Sequence, residues 1–179
     1  RLLGSEEVVL RCWRFESVAD GPDGVIDSSL RAHHGMLHDI DAATALDSDG
    51  VLVGAPGPGE YALRFDGTDD AVLDTEQFVE LGNGALFDVT GALTLECDVY
   101  VEPSHTTRAA LISKGAGAYS LNLTADRHIE LSVAGLTPSS LVSSSALPYE
   151  EWHHVAGTWD GSRLLILEIG RASCRERVC

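Results

Sequence analysis

With 179 residues, 44% of them hydrophobic, the chain is long enough to bury one substantial core and has the composition of an ordinary globular domain. A formal charge of −16 argues against nucleic acid, because phosphate binding needs clustered Lys and Arg to displace counterions. No run approaches the roughly 18 consecutive apolar residues of a membrane span, no signal-peptide pattern is visible, and Cys12, Cys97, Cys174 and Cys179 match no CxxC metal or redox spacing.

Along the chain, short segments carry the period-two alternation of half-buried strands. Val8 to Phe15, Tyr61 to Phe65 and Ala71 to Leu73 come first. The clearest runs from Leu93 to Glu102, where Leu93, Leu95, Cys97, Val99 and Val101 point one way and Thr94, Glu96, Asp98, Tyr100 and Glu102 the other. Ala109 to Ile112 follows, then Tyr119 to Leu123 and His128 to Val133, which pair as a hairpin across Ala125-Asp126-Arg127. A serine-rich stretch at Ser139, Ser140, Ser143, Ser144 and Ser145 reads as a solvated loop or edge. His153 to Trp159 and Arg163 to Leu167 complete the set. Turn pairs such as Asp20-Gly21, Asp49-Gly50, Asp66-Gly67, Asn83-Gly84 and Asp160-Gly161 lie between these segments, and none of the chain holds long helical periodicity. The expected fold class is all-β, an antiparallel two-sheet sandwich or barrel.

Four segments in order carry a family resemblance: Cys12-Trp13-Arg14-Phe15-Glu16; Ala62-Leu63-Arg64-Phe65-Asp66-Gly67-Thr68-Asp69-Asp70; Leu93-Thr94-Leu95-Glu96-Cys97-Asp98-Val99; and Glu151-Trp152-His153-His154-Val155-Ala156-Gly157-Thr158-Trp159-Asp160-Gly161. Together, over roughly Val8 to Leu167, they resemble the laminin-G-like branch of the concanavalin-A-like lectin and glucanase superfamily. The resemblance implies a jelly-roll β-sandwich, here missing its final strands. Residues 168–179 instead resemble the translation of a short-read sequencing adapter. The expected organisation is therefore a lead-in over 1–7, an incomplete sandwich over 8–167, and a non-native tail over 168–179.

The resemblance implies a non-catalytic recognition module of a larger secreted or cell-surface protein, joined to other domains of its parent chain. It would bind a glycan or an extracellular protein through loops at the sandwich rim, without nucleic acid or membrane insertion. It also implies a structural calcium at Asp27, Asp66 and Asp69, whose hard oxygens suit the ion, although His33 and Leu30 depart from the family's first loop. A glycoside hydrolase and a structural spacer are the alternatives. Related glucanases place two Glu and an Asp on one strand, yet Glu96 and Glu102 lie six residues apart, about 20 Å at ~3.3 Å per residue. Retaining hydrolysis needs carboxyls roughly 5 to 5.5 Å apart.

Other residue patterns favour structural roles. Neighbouring strand residues face oppositely, so His153 and His154 cannot share an ion without a bulge, and the resemblance implies that one ring packs and hydrogen-bonds inside while the other meets solvent. The trio His33, His34 and His38 has no recognised metal spacing. Trp13, Trp152 and Trp159 are expected in the core or at its rim. Asn122-Leu123-Thr124 fits a glycosylation acceptor.

Overall fold

A computed structural model describes residues 34–38, 62–65, 77–115 and 117–170. The chain divides into two compact units, Arg1–Leu86 and Phe87–Cys179. In the first, Met36–His38 (β1) and Phe78–Glu80 (β2) pair antiparallel. The His38 ring stacks on Phe78 with centroids 4.4 Å apart, and its Nε2 donates to Glu80 at 2.9 Å. These cross-strand contacts hold His38 in place. Of the expected strand Tyr61 to Phe65, the described residues 62–65 make a single bridge at Leu63. The expected strands Val8 to Phe15 and Ala71 to Leu73 lie outside the described residues.

The second unit holds Leu93–Tyr100 (β3), Ala109–Ser113 (β4), Tyr119–Leu123 (β5), His128–Val133 (β6), Ser140–Ala146 (β7), Trp152–Trp159 (β8) and Leu164–Gly170 (β9). They form two antiparallel sheets, β3-β8-β9 and β4-β5-β6-β7. Alternation explains why each sheet buries one face. In β6, Ile129, Leu131 and Val133 are buried while His128, Glu130 and Ser132 are half-exposed. The inward rows meet in one core of Leu93, Val101, Leu121, Leu123, Ile129, Leu131, Val133, Leu147 and Val155, with Leu95, Cys97, Val99, Trp159, Leu164 and Ile166 packed against it. Strand β6 lies over β8 and β9, and β7 over β9. The layers come into close contact at Gly157 of β8, where a Cβ would stand 2.9 Å from both Leu121 Cδ1 and Leu131 Cδ1. This is the two-layer antiparallel sandwich that the alternation implies.

Turn chemistry sets the hairpins. Between β5 and β6, Arg127 N–H donates to Thr124 O and Thr124 N–H to His128 O, each at 2.9 Å, closing a three-residue loop. Arg127 takes the left-handed conformation, φ 66°, which costs a side-chain-bearing residue about 1–2 kcal/mol. Its contacts offset that cost: its guanidinium donates to Leu147 O at 2.7 Å and sits 4.1 Å from the Tyr149 ring centroid, while Leu147 N–H donates back to Arg127 O at 2.8 Å.

Between β8 and β9 the Asp160 carboxylate accepts from Ser162 N–H at 2.7 Å, from Arg163 N–H at 2.8 Å and from the Ser162 hydroxyl at 2.8 Å. These bonds hold its carboxyl below the ordinary 3.8. A carboxyl depressed in the folded state stabilises above its unfolded pKa, and that contribution disappears as pH falls through the folded value. Replacing Asp160 by Asn is therefore expected to flatten the fall of Tm below about pH 4 and leave its slope near neutrality unchanged. Calorimetric scans from neutral to acid pH check this, and parallel acid limbs for the two proteins would refute it.

The serine-rich stretch, read as a loop or an edge, is an edge strand, β7. Its register slips between His128 and Glu130, and the Ser143 hydroxyl fills the gap by accepting from Ile129 N–H at 3.0 Å and donating to Ser145 O at 2.8 Å. Strand β9 begins one residue after the expected start and continues three residues past the expected end, to Gly170 opposite His153. Its pairing runs through backbone groups that every non-proline residue carries, so Glu168, Ile169 and Gly170 extend the ladder whatever their origin.

Candidate functional site on the outer face of the three-stranded sheet

Strand β3 positions Glu96 and Asp98 on the sheet face turned away from the core, as its alternation dictates. Register then decides their company: Asp98 lies opposite His154 and Tyr100 opposite Trp152. His154 Nδ1 donates to Asp98 Oδ1 at 3.1 Å, and its Nε2 lies 3.8 Å from Glu96 Oε2. The imidazole is thus held between two carboxylates. One row along, the Tyr100 and Trp152 rings meet at 5.5 Å and 56°. At the far end Thr94 and Thr158 hydroxyls are 3.2 Å apart. Leu165 and Leu167 of β9 share the face, 48% and 55% exposed.

The third carboxylate of the strand pattern, Glu102, lies beyond the end of β3, in a turn where its carbonyl accepts from His105 N–H at 3.0 Å. Glu96 and Asp98 are therefore brought together by His154, and Glu102 is not. Among the described residues no group of three or more His, Cys, Asp or Glu is arranged to hold a metal. The residues expected to bind calcium, Asp27, Asp66 and Asp69, lie outside the described residues, as do Trp13 and His33.

His153 and His154 face oppositely, as expected. His153 is buried on the core side, but its Nε2 makes no hydrogen bond and stands 3.9 Å from Glu151 Oε2, so the expected interior hydrogen bond from that atom is missing. Trp159 packs against the core, whereas Trp152, seven residues earlier on the same strand, half-buries itself on the outer face. Asn122 is 1% exposed in the middle of β5, and its Nδ2 donates to Ser120 Oγ at 2.8 Å. The folded sheet cannot present that amide for glycosylation.

On the reverse side of β3, Cys97 sits between the two carboxylates in sequence. Burial, then the charges of Asp98 and Glu96, pushes its thiol up from 9.0 to about 12. At pH 8 it holds about a thousandfold less thiolate than an ordinary thiol. Iodoacetamide is expected to label the Cys97 peptide only after denaturation, and mass-spectrometric detection of labelling in the native protein within minutes would refute this.

The partnership of Asp98 with His154 and of Tyr100 with Trp152 joins positions more than fifty residues apart. The alternation of Leu93 to Glu102 signalled that Asp98 and Tyr100 face outward, whereas the outward placement of Trp152, expected in the core or at its rim, and the pairing register are properties of the assembled sheet. No curated protein and no solved structure matches the chain. The family model Laminin_G_3, described as Concanavalin A-like lectin/glucanases superfamily, matches residues 73–167, more than half of the chain and nearly all of the two sheets just described. With its antiparallel sandwich, its outward carboxylate strand and the Trp152 to Gly161 segment within that span, the chain belongs to the laminin-G-like part of the concanavalin-A-like lectin and glucanase superfamily.

Proposed function

We propose that the chain is a non-catalytic recognition module of a larger secreted or cell-surface protein, taking a carbohydrate or protein ligand. The observation that carries the reading is the outer face of β3-β8-β9, where aromatic, carboxylate, imidazole and aliphatic groups are presented side by side without a covering element among the described residues of the second unit. Such mixed faces supply stacking area and directed hydrogen bonds together. The rim contributes at one end, since Glu150 N–H donates to Val101 O at 2.9 Å and so ties the loop before β8 to the end of β3. The proposal includes the calcium expected at Asp27, Asp66 and Asp69, for which a calcium-induced rise in Tm, lost in Asp66→Ala, is the test. Among the described residues no helix is long and apolar enough to cross a membrane.

Hydrolysis is the competing reading. A retaining mechanism requires an acid and a nucleophile about 5–5.5 Å apart across a bond. Here Asp98 is hydrogen-bonded to His154, and Glu102 has left the strand. Binding to arrayed glycans and extracellular proteins, weakened by Asp98→Asn without loss of Tm, is the expected result. Release of reducing ends from soluble glucan by the chain, abolished in Glu96→Gln, overturns the proposal in favour of an enzyme.

A further inference from the structure

We propose that the outer face of β3-β8-β9 docks an extended, basic segment of a partner protein, seating lysine or arginine side chains between Tyr100, Trp152 and the carboxylates of Asp98 and Glu96. This inference rests on the recognition reading and names the ligand chemistry of the same face. The first argument is charge. None of β3, β8 and β9 carries Lys or Arg, while the face bears Asp98 and Glu96, the latter with a side chain 63% exposed, within a chain of net charge −16. Glu150 and Glu102 add to the same field: partial desolvation, then their charges, raise the Tyr100 phenol above its ordinary 10.0.

The second argument is spacing. Tyr100, Asp98 and Glu96 alternate along one strand, so their side chains repeat every ~6.6–6.8 Å. An extended peptide presents its own alternate side chains at that same interval, so cations at every second position meet one ring and two carboxylates in turn. The third is the flank. Leu165 and Leu167 offer aliphatic surface on which lysine or arginine stems can lie while their charged heads reach the carboxylates. A neutral sugar would use the ring pair but leave the carboxylate charge uncompensated, which is why the basic segment is favoured.

The full chain is titrated by calorimetry at about 50 mM salt with three probes: a capped Lys-Thr-Lys-Thr-Lys-Thr-Lys peptide, a peptide of equal charge with two threonines between lysines, and a neutral glucan oligosaccharide. The alternating peptide is expected to bind several-fold tighter than the wider-spaced one, with affinity falling about tenfold in the Glu96→Gln, Asp98→Asn double variant and at about 300 mM salt. Tyr100→Leu should weaken it about threefold with Tm unchanged. Absence of peptide binding, or equal binding by the double variant, overturns the inference. Oligosaccharide binding with no peptide binding overturns it too and leaves the recognition module standing, whereas glucan hydrolysis lost in Glu96→Gln overturns the recognition reading itself.

Discussion

Gly157→Ala is expected to destabilise the second unit by about 1–3 kcal/mol, and Gly157→Val by more, read as lower midpoints of urea unfolding at constant m-value. An added Cβ would meet Leu121 Cδ1 and Leu131 Cδ1 at 2.9 Å and Leu131 Cβ at 3.3 Å. The far ends of leucine side chains normally yield cheaply, but Leu121 and Leu131 are both 0% exposed and enclosed by the rest of the core. Movement of one displaces its neighbours, because interiors are packed as densely as crystals. The pairwise origin can be isolated. Shortening Leu131 to Ala in the Gly157→Ala background should cost less than the two single changes added together, a coupling of about 0.5–3 kcal/mol. Additive single and double variants would show that the two sheets do not meet at Gly157.

Leu131→Ala alone is expected to cost about 2–5 kcal/mol, the range for a fully buried leucine whose cavity cannot collapse. Leu167→Ala, on the outer face, should fall within about 0.5 kcal/mol of the unchanged protein. Both residues are leucines in the middle of alternating strands, on β6 and β9, so the contrast measures only which way each side chain faces. A small domain commonly has 5–15 kcal/mol in total, so the first change removes a large share of it. Equal losses at both positions would place Leu167 in a buried environment and remove the outer face on which the recognition reading depends. The same pair of variants, tested for ligand binding, separates folding from recognition: Leu167→Ala should keep its Tm and weaken the basic peptide.

Alternation alone determined much of this molecule. Leu93, Leu95, Cys97 and Val99 turn inward and Thr94, Glu96 and Asp98 outward because consecutive strand residues must point to opposite sides, a local rule that needs no knowledge of neighbours. The β5–β6 hairpin was legible for the same reason, aided by the polar turn that joins two matched runs. Strands β1 and β2 were not, since three residues are too few to show a period. The serine-rich β7 left loop and edge open, because its stability comes from the β6 ladder and the Ser143 hydroxyl at the bulge and not from apolar alternation of its own.

The candidate site divides along the same line. That Glu96 and Asp98 share an outward face followed from their two-residue spacing, and that Glu102 stands too far from Glu96 followed from the rise per residue. That His154 lies between them, that Trp152 pairs with Tyr100, and that the layers approach closely at Gly157 were decided only when β3 met β8 in one register and the two sheets closed on each other. Facing direction is set by each residue's own backbone, whereas partnership depends on which distant strand arrives opposite and at what offset, and that is fixed by the packing of the whole core.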